Sequence, residues 1–518
     1  MAKVGKNILD NLTTGMYKDS RVIYREYVQN ACDQIDKAIE QGLLGEKEGL
    51  VDIYIDLSNR YISVRDNATG VAADSFKDDL GDIANSNKER GKNKGFRGIG
   101  RLCGIGYCKK LKFTTSYKGE NVKSIMICDA KRMREMLVEK TKYSLDDIWD
   151  TNISYEIADE NPDEHYFEVE LFDIKNESTD LLDESKIREY LSFVAPVPYK
   201  NTFILRNQIY EYARKHNRVI DEYCVKVNGA QVFKEYTTKL KELSGTNLKN
   251  YDEISRLEFH DFKDDEGNLL AWMWVGLSRF EKQIPKNNLM RGLRLRSANI
   301  QLGSDDVLTD LFKEPRGNYY FVGEVFAVNE DLIPNSQRDY FNENVTRVVF
   351  EDKLREYFYD VLHRLYYDAN RIKNAYKRQE DYLSKVAEFK KKTNENGFVD
   401  EEDRQKMQYG IERAKKEAEE ARKQLDKFDG VSIDSPLAEV HKSIGQKFDA
   451  EKLKLEASEA DITKEETEPK KKGYITTTMS KLSRSERKLV GKILTIITDI
   501  APKEIAEEII EKIKEEMK

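Results

Sequence analysis

Residues 25–36 read Arg-Glu-Tyr-Val-Gln-Asn-Ala-Cys-Asp-Gln-Ile-Asp, and this stretch constrains the chain more tightly than any other. At helical pitch, Glu26, Asn30 and Asp33 fall within about 60° of one another. Tyr24, Val28, Ala31, Ile35 and Ala38 take the opposite side, the stripe by which a helix seats on a core. A carboxylate, a carboxamide and a second carboxylate thus project together from a helix anchored by its back. Hard oxygen ligands of this kind suit Mg²⁺, and a carboxylate can orient an attacking water. Taken alone, the same pattern also describes a solvated polar face.

Two further motifs follow. Asp66-Asn-Ala-Thr-Gly70 comes directly after a predicted strand, Tyr61 to Arg65. An Asp at a strand end can accept a hydrogen bond from an exocyclic amine, and Gly70 lets the backbone approach a planar ring; an isolated motif of this kind is otherwise an Asx turn. Then comes Ile83-Ala-Asn-Ser-Asn-Lys88, a polar stretch, and after it Gly95-Phe-Arg-Gly-Ile-Gly-Arg-Leu102. Clustered glycines free backbone N–H groups to converge on an anion, and a helix starting near Arg101 would add its dipole. The spacing is not that of a dinucleotide fingerprint, and no G-x-x-x-x-G-K-[ST] occurs in the chain.

The 518 residues suffice for several domains, and 35% charge with a net of −8 gives a highly charged, sign-balanced surface. That balance offers no strong expectation of nucleic acid binding. Five cysteines without a CxxC pair predict reduced structural thiols, and the absence of a long apolar run predicts a cytoplasmic protein with no membrane partner. Strand pairs are predicted at Val51 to Leu57 with Tyr61 to Arg65, and at Lys110 to Tyr117 with Lys123 to Cys128, flanked by helices. Val225 to Val232 reads as a hairpin turning at Asn228-Gly229. Beyond Val345 the pattern turns helical, with a hairpin broken near Asn394 to Gly397 whose second arm, Glu401 to Lys427, is charged nearly all round. A polar linker precedes a capping box at Ser483-Arg-Ser-Glu486 and two short apolar-faced helices. Such helices cannot bury themselves well alone, which points to a homodimer.

The order of motifs, helix with Glu and Asn, strand with Asp-x-x-x-Gly, lid-like loop and then G-x-x-G-x-G, resembles the GHKL ATPase superfamily, most of all the HtpG-type heat-shock chaperones. Ile8 to Leu12, Tyr17 and Arg25-Glu26 look like their first helices, and Ile83 to Lys88 like the start of their ATP lid. Arg291-Gly-Leu-Arg-Leu-Arg296, Gly323-Glu-Val325 and Asp331 to Asp339 resemble the chaperone middle domain. The residue pattern beyond Val345 gives a helical hairpin over 346–430, a flexible linker over 431–475 and a helix pair over 476–518 in an α+β chain, and the resemblance implies a Bergerat-type α/β sandwich over 1–200 and a second α/β domain over 201–345. It covers roughly residues 5 to 345.

The resemblance further implies that ATP and Mg²⁺ are bound. Glu26 would polarise water, Asn30 hold the metal and Asp66 recognise adenine. Asp33, Gly70, Lys88, Gly95, Arg97, Gly98, Ile99 and Gly100 would line the nucleotide, with Arg338 reaching the γ-phosphate from the second domain. Two positions depart from the family. Ala68 stands where the middle glycine of D-x-G-x-G is expected, and His165-Tyr166 replaces a Gly-Thr before the strand Phe167 to Leu171. What the ATP cycle acts on stays open between a protein client and, as in MORC- or MutL-like ATPases of bacterial defence or genome maintenance, DNA. A histidine kinase is disfavoured because no His precedes His165, and a topoisomerase because no DNA-cleaving region is evident.

Overall fold

The computed structural model describes residues 19–81, 100–139, 143–395, 397–432, 434–459 and 481–517. The chain divides into two compact units, residues 1–277 with 282–363 and residues 278–281 with 364–518. It is α+β, as the sequence predicts. The first helix, α1 (Val22–Glu40), carries the Glu26 motif.

An eight-stranded sheet runs in the order β5-β4-β3-β6-β2-β1-β7-β8. Its strands are β1 (Leu50–Asp56), β2 (Tyr61–Asp66), β3 (Lys110–Ser116), β4 (Val122–Cys128), β5 (Ile153–Asp159), β6 (Tyr166–Phe172), β7 (Cys224–Val227) and β8 (Ala230–Gln231). Strand alternation explains why the sheet has one dry face: Val51, Ile53 and Ile55 are buried while Asp52 and Tyr54 are exposed. Against that dry face pack α1, through Tyr24, Val28, Ala31 and Ile35, and the helix Glu184–Val194, through Ile187 and Leu191. Neighbouring strands are antiparallel except β7, which pairs parallel with β1. That strand comes from beyond residue 200, so the sheet is completed by chain outside the segment whose motifs announce it. The turn after β7 has Asn228 at φ 49° and Gly229 at φ 77°, the left-handed pair that a tight two-residue hairpin requires.

A second sheet, order β11-β12-β15-β13-β14, contains β11 (Arg256–Lys263), β12 (Leu269–Leu277), β13 (Gly292–Ser297), β14 (Ile300–Leu302) and β15 (Val322–Ala327). Between the two sheets in chain order comes the two-stranded ribbon β9 (Lys239–Ser244) and β10 (Asn247–Glu253). At the centre of the second sheet Glu324 is wholly buried with Arg296 and Lys234. Its oxygens also accept from the Tyr199 and Tyr236 hydroxyls and from the Trp274 indole N–H at 3.3 Å. Arg296 in turn donates to the Phe193 carbonyl, 2.8 Å away on the helix Glu184–Val194. The buried charge thus ties the second sheet to a helix of the first.

The other unit is helical. His363–Glu395 and Glu401–Asp429 form the predicted hairpin, with Phe389, Phe398 and Ile411 in its core. Its second arm is not a uniformly solvated helix. Ile411, Ala414, Ala418, Ala421 and Leu425 are buried at spacings of three and four, a seam built largely of alanine that bulk hydrophobicity conceals. Residues 436–459, expected to be linker, form the helices Pro436–Lys447 and Ala450–Glu459. Ser435 caps the first by accepting from the Ala438 N–H, and Val440 and Ile444 seat it. The expected linker residues 460–475 lie outside the described residues. The capping box at Ser483 and Glu486 is present and opens Arg484–Ile500, followed by Lys503–Glu516.

Candidate active site

The polar face of α1 is not solvated. Glu26 is 8% exposed and Asp33 5%, while Asn30 is half-buried. The two oxygens of Glu26 have different surroundings. Oε1 accepts from the Arg25 guanidinium at 3.0 Å, in an ion pair that is itself buried. Oε2 has no protein partner among the described residues and faces Gly100, where a Cβ would stand 2.6 Å from it. One oxygen is anchored and the other is left available, the arrangement a general base needs.

Gly100 opens the helix expected near Arg101, which is a 3₁₀ helix, Gly100–Gly106. Tyr27 fixes this turn to α1. Its hydroxyl donates to the Arg101 carbonyl at 3.3 Å and accepts from the Gly104 N–H at 3.1 Å. Gly104 leaves just enough room, since a Cβ there would lie 2.4 Å from that oxygen. Tyr27 was legible in the sequence only as a residue beside Glu26. Its role depends on a turn more than seventy residues downstream.

Asp66, 5% exposed, ends β2 with its Oδ1 accepting from the Ala68 N–H at 3.0 Å, so it does make the Asx turn that its motif allows. Register places Asp66 opposite Phe167 on β6, and Phe167 opposite Thr115 on β3, so the three share one row on the dry face. The Thr115 hydroxyl is fully committed there, accepting from the Val71 N–H at 2.9 Å and donating to the Tyr166 carbonyl at 2.7 Å. A buried hydroxyl therefore stands in the same row as Asp66 but two strands from it, on β3 and not at the start of β6 where the family's Gly-Thr would put it. The two departures also meet: His165 Nδ1 lies 2.7 Å from the Ala68 carbonyl oxygen. Ala68 is fully buried and is not among the residues with positive φ, so its methyl causes no backbone strain. Gly70 has φ 67°, and a Cβ there would overlap the Ser116 carbonyl at 1.9 Å. What Gly70 accommodates in the folded chain is backbone, where the sequence suggested a ligand ring.

Arg338 comes from far along the chain. It is 8% exposed at φ 53°, on a loop closed by its own N–H to the Asn335 carbonyl (3.2 Å) and by the Gly303 N–H to its carbonyl (2.9 Å). The same Arg25 guanidinium that holds Glu26 donates to the Gln337 carbonyl at 3.2 Å. One side chain therefore connects the base candidate to the residue preceding Arg338. Lys88, Gly95, Arg97, Gly98 and Ile99, with the expected lid and the first-helix residues Ile8 to Tyr17, lie outside the described residues.

A helix presenting Glu and Asn thus lies against a mixed sheet, with Asp at a strand end and a glycine turn against the Glu. Residues 20–154 match the family described as histidine kinase-, DNA gyrase B- and HSP90-like ATPase. The chain is also similar to the chaperone protein HtpG of Anaplasma marginale (strain St. Maries), with 31% identity over 136 residues, or 24% of this chain and 21% of that protein. The chain thus aligns with about a fifth of that relative's length. Among the described residues no helix is long and apolar enough to cross a membrane.

Proposed function

We propose that this chain is an ATP-hydrolysing molecular clamp of the HtpG-like kind, acting on protein clients through ATP-driven closure of a dimer. The observation that carries the reading is the Arg25 guanidinium, shared between Glu26 and the carbonyl of Gln337. Glu26 Oε2 takes a proton from the attacking water, and Oε1 stays held so that the acceptor does not rotate away. Asp66 accepts from the adenine amine. Gly100, with the proposed Gly95 and Gly98, brings backbone N–H groups to the phosphates beneath the lid, and Lys88, Arg97 and Ile99 line the nucleotide. Arg338 stabilises the charge that develops on the transferred phosphoryl group.

Mg²⁺ is implied by the class, and the donor set fits it. Asn30 offers a hard oxygen with no protein partner among the described residues, and no cluster of three or more His, Cys, Asp or Glu competes as a metal cage among them. Asn30 would hold the ion with Asp33 behind it, and the ion would supply charge neutralisation at the phosphates.

Three outcomes test this reading. In Asp66→Asn an N–H donor replaces an acceptor and meets the adenine amine, a buried mismatch of about 1–3 kcal/mol or more. ATP titration by calorimetry should show binding reduced by at least about tenfold in a folded protein; unchanged affinity would remove Asp66 from the site. Arg338→Ala should lower kcat much more than ATP affinity, because its contact matures only as phosphoryl charge develops. Equal losses in both would make it a ground-state contact.

The third outcome concerns assembly. Val490, Leu494 and Ala506 are buried where the last two helices pair, yet Leu489, Ile493, Ile496 and Ile500 remain 45–80% exposed as a stripe on one helix. Covering such side chains is worth roughly 1.5–3 kcal/mol each before ordering costs. A second copy of the same stripe is the proposed cover. Light scattering should give a dimer for the full chain and a monomer for Leu489→Lys/Ile496→Lys, with turnover of the variant rising with protein concentration. A variant that remains dimeric would place the interface elsewhere.

A further inference from the structure

The helical unit contains a hollow that the ATPase reading leaves unused. His363–Glu395, Glu401–Asp429 and Pro436–Lys447 meet around Tyr376, Phe428 and His441 and leave a cavity of about 760 Å³, a volume ordinary for small-molecule sites. His441 is 9% exposed. Its Nε2 lies 3.2 Å from the Tyr376 hydroxyl and its Nδ1 3.6 Å from Asp429 Oδ1. The three residues, one from each helix, run from the buried interior to the mouth, where the Asp429 side chain is 51% exposed. Tyr376 is held from behind by Phe448, stacked at 5.5 Å and 14°, and Phe428 meets the His441 ring edge-on at 6.3 Å.

The charge of the lining is one-sided. Asp429, Glu439, Asp449 and Glu451 face the hollow against Lys442. At its margin two aromatic rings already carry cations. The Arg371 guanidinium lies 5.6 Å from the Phe428 centroid, fixed by Asp368 at 3.1 Å. Lys447 Nζ lies 5.6 Å from that of Phe448, fixed by Glu281 at 2.9 Å. A concave surface of one sign concentrates ions of the other, and ring faces attract cations. An anion would be repelled by the carboxylates, and an apolar ligand would desolvate them without compensation.

We propose that this hollow binds an organic cation of the size of an arginine side chain or a polyamine arm. Asp429 is the counter-ion, Tyr376 and Phe428 are the walls, and His441 positions both Asp429 and Tyr376. Two sources carry this chemistry, a free polyamine and a basic segment of a partner protein. The full chain, with ¹³C-labelled histidine and near-physiological salt, is therefore titrated with spermidine and, separately, with a terminally blocked Gly-Arg-Gly peptide. At least one probe should bind saturably and shift the His441 ring signal while those of His165, His216 and His260 stay in place. Tighter spermidine binding assigns a free polyamine; tighter peptide binding assigns a basic segment. Asp429→Asn should weaken binding by about tenfold. Lys442→Glu, a change on the exposed rim that leaves the helix packing alone, should strengthen it. If millimolar concentrations of both probes leave the His441 signal unmoved, or if Lys442→Glu fails to raise affinity, the site does not bind cations.

Discussion

Glu26→Ala is expected to bind ATP nearly as well as the unaltered chain and to hydrolyse it about 10²–10⁴-fold more slowly, the usual contribution of a positioned general base. The asymmetry of the carboxylate makes the expectation sharp: Oε1 is taken by Arg25, and Oε2 has no protein partner among the described residues. Gly100→Ala provides an independent check that leaves the base chemically intact. Its methyl would come 2.6 Å from Oε2, and the carboxylate cannot swing freely because Arg25 holds its other oxygen. Turnover should therefore fall with little change in melting temperature. Single-turnover hydrolysis, measured beside ATP binding, separates the two effects. Near-normal hydrolysis in Glu26→Ala would mean that the water is activated by another group.

The second large effect belongs to Glu324. Two cations and three uncharged donors surround it at zero exposure, and Arg296 and then Lys234 hold its carboxyl down to about 2 against the penalty of burial. Glu324→Gln keeps the shape but leaves Arg296 buried without its counter-ion, a loss of about 3–5 kcal/mol in comparable cases. Burial and the neighbouring Arg296 push Lys234 down to about 7. Arg296 is thus the permanent counter-ion, and Lys234 gives up its proton more readily than an exposed lysine. Because the folded carboxyl is depressed, its contribution is fully present above the ordinary glutamate range and is lost as pH falls through about 2. Denaturant melts should show the domain weakening progressively below about pH 4.5, with the slope much reduced in Glu324→Gln. An unchanged acid slope in that variant would assign the acid sensitivity to other carboxylates. Since Arg296 also donates to the Phe193 carbonyl, the variant should loosen the second sheet from the helix Glu184–Val194 as well.

What the sequence determined was local. The two faces of α1 follow from 3.6-residue periodicity, and β1 to β4 follow from alternation and turn residues, landing within about a residue or two of expectation. The capping box at Ser483 and the left-handed pair at Asn228-Gly229 depend on the chemistry of a few adjacent residues and were legible for that reason.

Tertiary structure decided the rest. No local pattern says that β7 pairs with β1, because parallel pairing joins segments with no short connection to announce them. The alanine seam of Glu401–Asp429 is invisible to composition, since alanine suits a solvated helix as well as a packed one. The glycine at position 100 signals conformational freedom in sequence; only the fold shows that its missing side chain makes room for the Glu26 carboxylate. Whether Glu26 lies in water or in a site was likewise undecided by its own helix. That depends on Gly100–Gly106 and on the loop before Arg338, which reach α1 from dozens to hundreds of residues away and are held there by Tyr27 and Arg25. Periodicity fixes which side of a helix a group occupies. Only the chain that comes to cover that side decides whether the group meets water or the chemistry of a site.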